Sequence, residues 1–313
     1  MRAFGYILFT LYSLSQLAMA SEATLESLSK AAQKVDIFMW GEIHEVPAQA
    51  KLLVDFLSLP TSLEFEAVGT EYVPGHMQAA LDEYVRNPLN VADSTGEKKF
   101  FAALTAEQLI WPRTEGSRQI LRAFWNLKQR KPTIKICAID FQWGDAAQNQ
   151  LAWETLPLEL KNKVSKISGL PIDKVVDQGL AYVREAKIAE SMVSCSGGSR
   201  KMLTHTGSYH VMSPSLFVEP KNWLPSSGYV QSLLPDLRIF TFYHSLHPKS
   251  VSDPMSKKFD AWVLKNEMSE AKLISAQELQ ANPYKDDLFL PLDNGAKMSL
   301  ILWDAILIGP SLP

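Results

Sequence analysis

Cysteine, strong charge of one sign and long apolar runs are scarce in this chain, and each shortage excludes something. Two cysteines among 313 residues are too few for a disulfide scaffold. They do not form a C-x-x-C pair, which disfavours a thiol oxidoreductase. A net charge of -3 without a dense Lys/Arg patch gives no electrostatic reason to expect nucleic acid as a partner. No G-x-S-x-G elbow is present. The nearest stretch, Thr206-Gly207-Ser208-Tyr209-His210, lacks the closing glycine, which argues against a serine hydrolase. H-E-x-x-H, the P-loop and a G-x-G-x-x-G after a strand are missing too, which argues against zincins and nucleotide enzymes. There is no internal repeat and no low-complexity tract.

What remains is an ordinary globular composition, 46% hydrophobic and 21% charged, long enough for one large core or two modest ones. The first twenty residues stand apart. Arg2 forms a short basic region, Tyr6-Ile7-Leu8-Phe9-Thr10-Leu11-Tyr12 an apolar stretch, and Ala18-Met19-Ala20 a small-x-small pattern before Ser21. That reads as a signal peptide over 1–20 and a periplasmic or secreted mature chain. The apolar stretch falls short of the roughly 20 residues that span a bilayer, so no stable membrane span is expected after cleavage; the alternative is an uncleaved anchor. No cysteine follows the cleavage site to take a lipid. Cys137 lies in an apolar strand and reads as a small buried hydrophobe. Cys195 lies in Ser194-Cys195-Ser196-Gly197-Gly198, read as a loop. Whether the two pair is left open, and so is the oligomeric state.

Along the chain, Leu25, Leu28, Ala31 and Ala32 have helical spacing. A strand follows at Val35–Trp40 and halts at Gly41. It delivers Glu42 and His44 side by side before Pro47 opens a helix to about Leu57. Leu63–Tyr72 reads as a second strand ending in Glu71-Tyr72, and the short crossover predicts that the two strands are parallel neighbours. Pro74–Arg130 is helical in pattern and larger than a simple crossover. Thr133–Ile139 reads as a third strand ending at Asp140. Helices follow near Ala146–Lys166 and Pro171–Ser194. Arg200–Thr204 reads as a fourth strand giving way to His205 and His210, and Leu237–Tyr243, Phe259–Leu264 and Ser299–Ile308 as closing strands. Helix and strand alternate, which predicts an α/β fold: a mainly parallel β-sheet with helices on both faces and an inserted helical cap at about 74–130, all within a single domain over 21–313.

The chemistry-bearing residues fall at the strand ends. Glu42 and His44 follow the first strand, Glu71 the second, Asp140 the third, and His205 and His210 the fourth. In a parallel sheet those ends share one rim, where open α/β folds bind ligands. Core packing does not ask for an ionisable group at every strand tip. Glu71 and Asp140 each have the plainer reading of a helix cap. Arg184, in a helix with apolar neighbours, either pairs with Glu185 or Glu190 on the same helix or reaches the pocket to orient a carboxylate or bind an anion. His244 and His247 read as exposed.

These residues resemble a known group. Gly41-Glu42-Ile43-His44 is similar to the Gly-Glu-x-His after the first strand in the erythromycin-esterase/ChaN-like superfamily, which is related more loosely to the Tiki proteases. Glu71 matches its second-strand acid, and Gln78-x-x-Leu81-Asp82-x-Tyr84 resembles the haem-binding ChaN-like branch. Ile139-Asp140, Arg184 through Met192, and Gly207-Ser208-Tyr209-His210 follow in the superfamily's order. Phe259-Asp260 and Trp303-Asp304-Ala305-Ile306 resemble its late aromatic-Asp strands. The resemblance implies a Glu/His cluster in a cleft between sheet and cap. Within the superfamily such clusters serve ester hydrolysis, metal-dependent peptide hydrolysis or haem binding. The chain departs from the esterase branch in its wider His205-to-His210 spacing and from haem-uptake lipoproteins in lacking the anchor cysteine.

Two expectations result. In the first, the protein is a hydrolase of a small-molecule or peptide substrate: His44 is the base for a water, Glu42 or Glu71 orients it, and His210 and Arg184 stabilise the oxyanion. Its variant has Glu42, His44, Glu71 and His210 hold a divalent metal. In the second, the protein binds haem through His44, Tyr72, Tyr209 or His210, with Phe100, Phe101, Trp111, Phe124 and Trp125 sandwiching the macrocycle; the plainer reading of those aromatics is ordinary core.

Overall fold

The computed structural model describes residues 24–42, 47–88, 95–106, 114–141, 146–198, 201–212, 224–245, 272–281, 289–291, 297–299 and 304–308. The expected leader, His44, Trp111, His247 and the strand expected at Phe259–Leu264 lie outside the described residues.

Alternating side chains build the two faces of the sheet. In β1 (Ile37–Glu42) Ile37 and Met39 enter one core while Phe38 and Trp40 enter the other, as the two-residue period of a strand requires. A helix over 24–33 precedes it (α1). α2 (Pro47–Ser58), β2 (Ala67–Pro74), α3 (Gln78–Arg86), α4 (Thr95–Ala106), α5 (Glu115–Arg130) and β3 (Lys135–Asp140) follow. Next come α6 (Ala146–Thr155), α7 (Leu158–Ser168), α8 (Leu180–Ser196), β4 (Met202–Gly207), α9 (Ser226–Leu233), β5 (Ile239–Ser245) and β6 (Lys272–Ser275). The short strands β7 (Phe289–Pro291) and β8 (Lys297–Ser299) pair with each other, and β9 (Ala305–Ile308) rejoins the main sheet.

The main sheet runs β3-β2-β4-β1-β5-β9-β6. Every neighbouring pair is parallel except β6 with β9. The fold class is therefore the expected one, with one difference at its centre. β1 and β2 are not neighbours, because β4 lies between them: Met202 is in register with Ile37 on one side and Ala67 on the other. β4 is buried along its whole length, which suits a central strand. It also runs later than expected, so His205 lies inside the strand rather than beyond it. β2 likewise carries Glu71 and Tyr72 within its length, and its first expected residues form a 3-10 turn at Pro60–Glu64.

The helices between β2 and β3 cover one face of the sheet. α5 is well specified: Thr114 Oγ1 caps it by accepting from Ser117 N–H, Glu115 opens it, and Lys128 and Arg130 close it. Its Ile120, Phe124 and Leu127 share one core with Phe38, Trp40, Phe56 and Val68. Phe100 and Phe101 belong to the same core, where Phe100 stacks on Tyr84 at 4.6 Å between ring centroids. Trp125 packs against its edge and donates its indole N–H to Asn87 O at 2.7 Å. Phe100, Phe101 and Phe124 are thus buried core residues, the plainer of the two readings, and Trp125 packs on the edge of that core.

On the other face, α8 contributes Val183, Ala186, Ile188, Ala189 and Met192 to a second core with Ile37, Met39 and Tyr229. α8 continues to Ser196 and ends at Gly197, whose φ of 58° suits a left-handed helix cap. Cys195 is thus helical rather than in a loop, and it forms a disulfide with Cys137 of β3. No helix among the described residues is long and apolar enough to cross a membrane.

Candidate active site

Strand alternation divides the rim into two groups that meet at β4. On the α5 side, β1 ends in Glu42, β2 contributes Thr70 and Tyr72, and β4 contributes His205; all four are buried. Tyr72 donates its hydroxyl to Glu42 Oε1. His205 Nε2 stands 2.8 Å from Glu42 Oε2, and its Nδ1 lies 3.3 Å from Thr70 Oγ1. The Tyr72 ring meets the His205 ring edge-on at 4.7 Å. Burial, with the Glu42 carboxylate, holds the Tyr72 phenol far above its ordinary range, so it stays a neutral donor.

On the α8 side lies Glu71, one residue before Tyr72 and therefore on the opposite face. Its Oε2 accepts Gly207 N–H at 2.6 Å, and its Oε1 accepts from Arg184 Nη2 at 2.7 Å. Arg184 also donates to Asp140 Oδ1 from Nη2 at 2.9 Å and from Nε at 3.2 Å. His210 sits in a 3-10 turn at Ser208–Val211. Its Nε2 lies 3.2 Å from Glu71 Oε1, and its Nδ1 lies 2.7 Å from Glu185 Oε1.

The charges follow from these contacts. Burial pushes the Asp140 carboxyl up to about 6, and the Glu71 carboxylate adds to the rise while Arg184 opposes it. For His210, burial works to lower the pKa, but the Glu185 and Glu71 carboxylates outweigh it and push it up to about 10. Arg184 is held above its ordinary value despite burial, by Asp140 and Glu71. At neutral pH His210 and Arg184 are both cations set among three acids.

Two glycines join the groups. Gly207 is in register with Glu42 while its N–H binds Glu71. At Gly41 a Cβ would stand 2.5 Å from Val211 Cγ2 and 2.9 Å from Ser208 Cα. The turn that carries His210 is packed directly on that glycine, which is a physical reason for glycine ahead of Glu42.

Of the residues expected at the site, Glu71, Arg184 and His210 are brought together, with Asp140 beside them. Glu42 and Tyr72 form the neighbouring group with His205, and His44 lies outside the described residues. Tyr209 is 43% exposed on the turn. Arg184 leaves its helix neighbours and reaches Glu71 and Asp140; Lys187 takes Glu190 at 2.7 Å instead. Asp140 is an ion-pair partner rather than a simple cap. Glu185, expected only as a surface partner for Arg184, is 2% exposed and holds His210. Its signal in the sequence is position: it shares the apolar stripe of α8 with Ile188, Ala189 and Met192 at helical spacing.

A metal or a haem iron needs free ligating atoms at this site. Among the described residues no group of three or more His, Cys, Asp and Glu side chains is arranged to hold a metal ion. His210 presents both ring nitrogens to carboxylates, where a metal or haem iron requires a nitrogen lone pair. Tyr72 is buried with its hydroxyl committed to Glu42. These two residues do not fit as axial ligands, because their ligating atoms already serve the protein's own network.

No protein-family model matches the chain, and no curated protein matches it. Among solved structures it is similar to a succinoglycan biosynthesis protein, with 13% identity over 91% of this chain and 90% of that one and a TM-score of 0.55. It is also similar to an erythromycin esterase mutant, EreC, in its open conformation, with 12% identity over 91% and 93% of the two chains and a TM-score of 0.54. A haem-bound ChaN of Campylobacter jejuni aligns over 90% of this chain and 91% of its own with 14% identity and a TM-score of 0.46. For the first two the likeness is one of fold alone, and it is the fold that the Gly41-Glu42-Ile43-His44 resemblance leads one to expect.

Proposed function

We propose that the protein is a secreted or periplasmic hydrolase that activates water at this rim and cleaves an ester or amide bond in a small molecule or peptide. The observation that supports it most is an ion-paired group at one end of the sheet: Glu71, Asp140 and His210, buried at the carboxyl ends of adjacent parallel strands, with buried Glu185 and the mostly covered Arg184 reaching them from α8. Several charges withdrawn from water cost several kcal/mol each before pairing, and packing alone gives no reason to place them where α/β folds bind ligands. The disulfide supports an oxidising compartment.

In this reading His44, two residues after Glu42, takes the proton from the attacking water, a role worth about 10²–10⁴ in rate. Glu71 is oriented by Gly207 N–H and Arg184. Arg184 Nη1 faces the His210 cation at 3.4 Å; it is the donor assigned to the oxygen that gains charge in the tetrahedral intermediate. His210 is a fixed cation and not the base, since a base serving at neutral pH needs a pKa near 7. The test is hydrolysis of a panel of esters and amides by the purified protein beside a folded His44→Ala variant. Turnover that disappears in the variant supports the proposal, and undiminished turnover removes it. An absorption spectrum after adding haemin covers the other expectation: a Soret band in a protein without hydrolytic activity replaces the hydrolase reading.

A further inference from the structure

We propose that Glu185 is a positioning residue of this site, turning the Nε2 edge of His210 onto Glu71; its kinetic consequence rests on the hydrolase reading, its geometry does not. One end of Glu185 is fixed from behind. Its Oε2 accepts both the backbone N–H of Ser226, at 2.8 Å, and the Ser226 hydroxyl, at 2.7 Å, at the start of α9. The other end, Oε1, stands 2.7 Å from His210 Nδ1 as an ion pair whose angle falls outside a hydrogen bond's. The imidazole is then spanned between two carboxylates, with Glu71 Oε1 3.2 Å from Nε2.

The position on α8 adds weight. Arg184 and Glu185 are consecutive; one reaches Glu71 and Asp140, and the other reaches His210. A single rigid helix thereby sets both cations of the site relative to Glu71. An acid on the apolar stripe of a helix is costly unless fully paired, and each Glu185 oxygen has a partner. Other groups around the imidazole are Asp140 from β3 and Arg184 from α8. The Glu185 charge adds to the burial that pushes the Tyr229 phenol of α9 up, and Glu42 of β1 is turned to the opposite face with Tyr72 and His205. A carboxylate beside an imidazole nitrogen fixes the ring's orientation, and a small misplacement of a group at a site can cost about 10²-fold in rate.

The test follows the His210 imidazole by NMR titration in the full mature chain without substrate, in wild type, Glu185→Gln and Ser226→Ala. Glu185→Gln keeps the shape and removes the charge. The His210 pKa is expected to fall by about one to three pH units, and by less in Ser226→Ala, which loses one of two donors to Glu185. With an active substrate, kcat of Glu185→Gln falls by up to about 10²-fold, its pH profile gains the new His210 limb, and Glu185→Asp restores part of the loss. Glu190→Gln, on the exposed side of the same helix, leaves both readouts unchanged. An unaltered His210 titration in folded Glu185→Gln overturns the proposal; should that variant not fold, an unaltered titration in Ser226→Ala does the same. A shifted titration in a protein that hydrolyses nothing upholds the positioning role and sinks the hydrolase reading alone.

Discussion

Breaking the Cys137–Cys195 bond separates stability from site chemistry. The bond joins residues 58 apart in sequence. In the chain-entropy account, closing a loop of that size removes roughly 14 cal/mol/K from the unfolded ensemble, or about 4 kcal/mol at room temperature. For a chain of this length that is a melting-temperature change of about 8 °C. Cys137 precedes Asp140 by three residues on β3, and Cys195 follows Arg184 by eleven on α8, which is roughly 16 Å along the helix. The disulfide therefore pins the far end of α8 to the strand whose near end is held by the Asp140–Arg184 pair. Guanidinium denaturation of the oxidised protein, the reduced protein and a Cys137→Ser/Cys195→Ser variant should show the last two losing about 4 kcal/mol together. The His210 titration should remain as in the oxidised protein. Equal midpoints in all three forms, or free thiols in the oxidised sample, would refute the reasoning.

Other consequences are as direct. Arg184→Met leaves Glu71 and Asp140 buried without their shared cation and should cost about 3–5 kcal/mol in denaturant unfolding, typical of a broken buried pair; a loss under 1 kcal/mol would mean the pair is solvated. Gly41→Ala places a methyl against Val211 and the Ser208 backbone, so the His210 turn must move. A destabilisation of about 1–3 kcal/mol is expected, and a variant as stable as wild type contradicts that packing. Asp140 binds its proton more tightly in the folded state, with a pKa raised from 3.8 to about 6. Its contribution to stability is full below pH 4 and is lost as pH rises through about 6, roughly 3 kcal/mol in all. The pH dependence of unfolding should therefore differ between wild type and Asp140→Asn over that window, and parallel curves would show that Asp140 does not carry it.

The sequence discloses what is local and withholds what depends on pairing at a distance. Glu42, Glu71, Asp140 and His210 are legible because each follows an apolar strand pattern, and a titratable group at a strand end stands out against its neighbours. That β4 inserts between β1 and β2 is not legible, since nothing in the periodicity of Met202–Gly207 names its two partners. The separation of Glu42 from Glu71 combines strand alternation, which is legible, with the register that sets Ile37, Met202 and Ala67 side by side, which is not. Glu185 is a different case. Its place on the apolar stripe of α8 was visible, but its neighbour Arg184 offered a simpler surface pairing. The disulfide depends on α8 extending to Gly197, and Ser194-Cys195-Ser196 has too little helical preference to show it.

The most direct test of the account is the hydrolysis rate of Glu71→Gln beside wild type on the best ester or amide found for the protein, with folding checked by circular dichroism. Glu71 receives Gly207 N–H and Arg184 and faces His210, so the α8-side group converges on its carboxyl. The account predicts that kcat/KM falls by about 10²-fold or more while the fold is kept. A folded Glu71→Gln protein that turns over substrate as fast as wild type would contradict it.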